Sequence, residues 1–131
     1  VQWAMRTLQN YDIDHVWLED YAFGATGKVF HIGENTGLLK YRLYKRDYSF
    51  QMVAPTMVKK FATQKGNANK EMMLDQFNME NNIDLREVIG TKTENPISDI
   101  VDSYYVWQYA YVHTTPHVPE EVIQVIQPEM M

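Results

Sequence analysis

Three acidic residues are of the right type, and in the right places, to share a metal ion. Glu19 follows the apolar run HVWL at residues 15–18, which puts it at the end of an expected buried strand. Asp99 and Asp102 are spaced i, i+3 near the start of an apolar helical run. That spacing sets both carboxylates on one helix face, about 5–6 Å apart at Cβ. Asp102 sits among Ile100, Val101, Tyr104, Tyr105 and Val106, which is poor company for a plain surface charge. Buried carboxylates are costly unless they are paired or bind metal. Mg²⁺ prefers hard oxygen ligands and keeps several waters. Two such ions about 4 Å apart can activate water and stabilise a leaving oxygen in phosphodiester cleavage. Plainer readings fit the same positions. Asp is favoured at a helix N-terminus by capping and by the helix dipole, and Glu after a strand is often a rim charge. Spacing alone leaves both readings open.

The charge distribution points to a polyanion. The chain has 131 residues and a formal charge of −5. Residues 1–39 carry −3, residues 40–70 carry +7 and residues 71–131 carry −9. The middle segment holds Lys40, Arg42, Lys45, Arg46, Lys59, Lys60, Lys65 and Lys70 against Asp47 alone. Phosphate binding depends on local potential rather than on net charge. A solvated helix face would look the same by composition.

Composition excludes several classes. With no Cys there is no disulfide scaffold, thiolate zinc site or cysteine nucleophile. This suits a reducing cytoplasm, the expected location. Hydrophobic residues at 45% and aromatics at 13% exclude a disordered chain. No apolar run approaches the roughly 20 residues of a membrane span, and the N-terminus does not read as a signal peptide. His113 and His117 are spaced i, i+4, but Pro116 between them argues against a helical metal pair. No Walker loop, dinucleotide fingerprint or nucleophile elbow occurs.

The elements that must position the acids follow from periodicity. Residues 1–11 read as a helix, 15–18 as a strand, 28–45 as a helix and 49–54 as a strand closed by Pro55. Val29, Ile32, Thr36, Leu39 and Leu43 can share one face of the long helix. Residues 55–61 suit a short helix with Pro in its first turn. Residues 64–69 form a polar turn, and Asn69 caps a helix from 70 to about 78. Residues 84–89 are a short apolar segment of open type. The last helix starts after Asn95-Pro96, with Ser98 as its expected cap, and stops before Thr115-Pro116. The tail from His117 is expected to pack loosely. Strands alternating with helices imply one α/β domain over residues 1–131.

Three runs resemble the RuvC-like Holliday junction resolvases of phage and bacteria. PTMVKKFATQKGNANKEMM (residues 55–73) resembles that family's lysine signature, WLEDYAFG (17–24) its second acidic motif, and SDIVDSYYVWQYA (98–110) its terminal helix. They occur in the family's order. The resemblance implies a ribonuclease H-like fold, a homodimer and Mg²⁺-dependent (or Mn²⁺-dependent) cutting of four-way DNA junctions. It makes Glu19, Asp99 and Asp102 metal-binding catalytic carboxylates. Lys59 and Lys70 match the lysines beside the DNA and the active site, with Lys60 and Lys65 adding backbone contacts. It also places an aromatic at the junction, for which Tyr21 and Phe23 both qualify. The family's first Asp, in a Gly-x-Asp strand, has no counterpart ahead of Glu19. The expectation is a chain that begins after the first strands. Asp12 and Asp14 are poor substitutes, and Gln64 stands where the family often has Gly. The alternative is a junction-binding module that does not cut.

Overall fold

The computed structural model describes residues 1–20, 29–91 and 93–114. Tyr21, Phe23 and the tail from residue 115 lie outside the described residues. Two strands and six helices are described, in the order α1 (Gln2–Asn10), β1 (His15–Glu19), α2 (Val29–Lys45), β2 (Ser49–Val53), α3 (Pro55–Thr63), α4 (Lys70–Asn81), α5 (Leu85–Ile89) and α6 (Ile97–His113). The chain is therefore a mixed helix and strand protein, as the alternating pattern predicts.

β1 and β2 pair in parallel, His15 opposite Ser49 and Glu19 opposite Val53. Parallel pairing needs a crossover between the strands, and α2 supplies it. The backbone N–H of Asp20 donates to the Val53 carbonyl at 2.7 Å, which carries the ladder past Glu19. Strand side chains alternate between faces. Trp17, Glu19 and the buried Val53 thus share one face of the pair, and Trp17 packs there edge-on to Tyr109 of α6, with ring centroids 5.6 Å apart. The expected buried strand is only half-buried: His15, Val16, Trp17 and Leu18 are partly covered and Glu19 is exposed. Among the described residues β1 has one strand neighbour, so its other edge has no backbone partner to bury it.

The main core forms where α3, α4, α5 and α6 meet that sheet face. Val53, Val58, Ala62, Leu74, Phe77, Leu85, Val101 and Tyr105 are all buried in it. Met5 and Leu43 are buried apart from this cluster. α6 runs back along β1. Its last turn is tied to the strand by the Trp17 indole N–H, which donates to Thr114 Oγ1 at 2.8 Å. The first half of α6 therefore passes the Glu19 end.

Helix ends follow local chemistry. Asn69 Oδ1 accepts the Met72 N–H at 2.8 Å and caps α4, as expected of Asn before a helix. The open segment at 84–89 is a short helix, started by Asp84 accepting from the Arg86 N–H and stopped by Gly90 at φ 78°. The cap expected at Ser98 is corrected: the N-cap is Pro96, two residues earlier, and α6 begins at Ile97. Ser98 is buried inside the first turn, and its hydroxyl donates back to Asn95 Oδ1 at 3.2 Å.

Candidate functional site

Glu19 and Asp102 come from separate elements and meet electrostatically. Glu19 ends β1, and Asp102 lies in the second turn of α6. The pKa of Glu19 is raised, first by the protein surrounding its carboxyl, then by the charge of Asp102, with Lys59 pulling it down. The pKa of Asp102 is raised mainly by burial and also by Asp99, while Lys70 and Lys59 oppose the shift. Desolvation and like charge both disfavour the ionised form of a carboxyl, and nearby cations favour it.

Lysines reach this pair from two helices. Lys59 is half-buried on α3 and acts on both acids; Lys70 opens α4 and acts on Asp102. Lys70 Nζ also lies 3.3 Å from Glu94 Oε1, a highly exposed pair worth little by itself. The loop between the two lysines is held by its own hydrogen bonds. Thr63 Oγ1 donates to the Lys59 carbonyl at 2.9 Å and accepts the Lys65 N–H at 3.2 Å. Gln64 closes α3 in the left-handed region, at φ 67°, with its N–H on the Lys60 carbonyl.

The remaining expected residues stand further out. Asp99 is exposed one turn before Asp102 and reaches the pair only through it. Lys60 and Lys65 are exposed and do not act on either acid. Asp12 and Asp14 are exposed ahead of β1, about 13 Å of strand away from Glu19 at the usual rise per residue. Among the described residues, no group of three or more His, Cys, Asp or Glu side chains stands close enough to hold a metal ion. Glu19, Asp99 and Asp102 thus form a pair with an outlying third carboxylate, not a closed cage.

Asp102 also lines a cleft of about 420 Å³ between α4, α5 and α6, with Lys70, Glu71, Arg86, Glu94 and Ser98 on its walls. Arg86 grips Glu71 through both ends of its guanidinium, at 3.2 and 2.8 Å. Sequence reasoning missed Glu71, Arg86 and Glu94 here. Only the i, i+15 and i, i+24 contacts made by tertiary packing mark them, so no local signal was available.

The donors fit a hard divalent cation. Glu19 and Asp102 offer carboxylate oxygens, and Mg²⁺ is commonly held by one or two carboxylates together with waters and substrate phosphate oxygens. The chain matches no family model, no curated protein and no solved structure. No helix among the described residues is long and apolar enough to cross a membrane.

Proposed function

We propose that this chain is a metal-dependent, structure-selective DNA endonuclease of RuvC-like type on a ribonuclease H-like fold. On this reading it acts as a homodimer on four-way junctions. One observation carries it: a partly buried carboxyl at a strand end and another on a distant helix stand close enough for Asp102 to raise the pKa of Glu19, with Lys59 acting on both and Lys70 on Asp102. Acids placed this way cost stability, and the cost is repaid when a cation and a phosphate enter.

Glu19 and Asp102 would hold Mg²⁺, and Asp99 would orient its waters from one turn away. When bound, the ion would supply charge neutralisation and lower the pKa of water, so that hydroxide is available near neutral pH to attack a phosphodiester. Lys59 and Lys70 hold the phosphate that the acids would otherwise repel. Lys60 and Lys65, exposed beside them, extend that contact along the strand. Gln64 supports the same reading: the backbone there takes the conformation that favours Gly, the residue common at this place in the resolvase signature.

A second reading has its own observation. The lack of a three-acid group among the described residues favours a module that binds junctions without cutting them. A labelled four-way junction with Mg²⁺ separates the two. Cutting by the wild-type chain that disappears in Asp102→Asn supports the nuclease. Junction binding with no cutting at any Mg²⁺ concentration supports the module.

A further inference from the structure

The second basic cluster lies at the other end of the sheet. Lys40, Arg42, Lys45 and Arg46 fall within seven residues at the close of α2 and just beyond it. The helix ends there and turns directly into β2. The Tyr48 N–H donates to the Leu43 carbonyl at 3.0 Å, and Ser49 pairs with His15. The acid pair is at the Glu19 and Val53 end of the same strands. Five strand residues separate the two ends by roughly 13 Å, so one phosphate cannot touch both.

Three features set this surface apart. First, no cation in the cluster has an ion pair among the described residues; the two salt bridges there use Lys70 with Glu94 and Arg86 with Glu71. Second, Tyr41 and Tyr44 are 57% and 73% exposed among these cations, and Lys45 Nζ lies 5.8 Å from the centre of the Tyr41 ring. Lys40, Tyr41, Tyr44 and Lys45 recur at i, i+1, i+4 and i+5, so they form one face with charges and hydroxyls interleaved. Third, Leu43 is completely buried and anchors the helix from its other side. The helix dipole favours cations in the last turn, which accounts for Arg42 and Lys45. It does not account for Lys40, Arg46 or the two exposed tyrosines.

We infer that this end of α2 is a second binding surface, for the phosphate backbone of duplex DNA, separate from the acid pair. Lysine, arginine and tyrosine hydroxyls are the side chains that contact phosphate oxygens. A rigid helix end presents them without loop ordering, at a low entropic cost. An anionic membrane is the poorer fit. A helix lying in a membrane interface opposes a basic face to an apolar one, and here Leu43 is already spent inside the protein.

The test is fluorescence anisotropy of labelled duplex DNA with the full chain over a range of salt. Lys45→Glu/Arg46→Glu is compared with wild type, and Lys45→Gln/Arg46→Gln serves if charge reversal disturbs folding. The expected result is a loss of affinity of about tenfold or more, with the salt slope reduced by about two. Unchanged affinity and slope would overturn the inference. So would a wild-type chain that ignores DNA but binds phosphatidylserine vesicles. A chain that binds DNA through this surface and never cuts it leaves the inference standing and removes only the nuclease reading.

Discussion

Asp102 raises the pKa of Glu19 across the gap between α6 and β1, and Lys59 lowers it. Burial is the largest cause of both raised values, and like charge adds to it. The two lysines offset the rise only in part.

The first consequence is a stability penalty at neutral pH. Both carboxyls keep their protons to higher pH in the folded chain than at their ordinary values of 4.5 and 3.8. The folded state then binds more protons than the unfolded one across that window. Stability falls as pH rises through it, and the penalty persists above it. Asp102→Asn removes one charge of the pair and should stabilise the chain at neutral pH by about 0.5–2 kcal/mol. The gain should fade as pH drops below the carboxylate range. Urea unfolding of both proteins across pH checks this, and a less stable variant at neutral pH would show that the carboxylate is satisfied as it stands.

Mg²⁺ should relieve the same penalty. A ligand that binds only the folded state stabilises it by mass action, about 2.7 kcal/mol at roughly 100 times Kd. Thermal unfolding with increasing Mg²⁺ should therefore raise the wild-type midpoint. Glu19→Gln and Asp102→Asn should each respond much less. An equal response in all three proteins would place any bound ion elsewhere.

Much of this arrangement is legible in the sequence, and what is not has a physical reason. The strand before Glu19, the Asn69 cap and the Pro55 start of α3 are local signals, and local propensity decided each of them. Glu19 and Asp102 belong together because α6 is pinned to Trp17 through Thr114, a contact spanning 97 residues that no window can contain. The Ser98 cap failed because Asn95, three residues earlier, takes its hydroxyl and the helix starts at Ile97. The i, i+3 spacing of Asp99 and Asp102 suggests equal partners. Helix geometry turns Asp102 inward and leaves Asp99 at the rim.

Lys59 touches the electrostatics of both acids, and Lys60 next to it touches neither. Lys59→Ala should weaken DNA binding similarly for all sequences and lower the salt slope by about one. It should also raise the pH at which Glu19 ionises, since one opposing cation is gone. Lys60→Ala should leave that ionisation where it is. Carboxyl titration by NMR and anisotropy against salt read the two effects separately. A loss confined to one DNA sequence would mean that Lys59 reads a base.

Gln64 pays a conformational cost to turn the lysine loop. It sits at φ 67° and ψ 7°, and its N–H caps α3 on the Lys60 carbonyl at 2.8 Å. The left-handed region costs an L-residue about 1–2 kcal/mol and costs Gly almost nothing. Gly gives back about 0.4–1 kcal/mol through the greater freedom of the unfolded chain. Gln64→Gly should therefore stabilise the protein by a net amount of about 0.5–1 kcal/mol, measurable by urea unfolding. The cap is made by the backbone and survives the change, so Lys59 and Lys65 keep their places and DNA affinity should hold. Destabilisation instead would show that the glutamine side chain braces the turn.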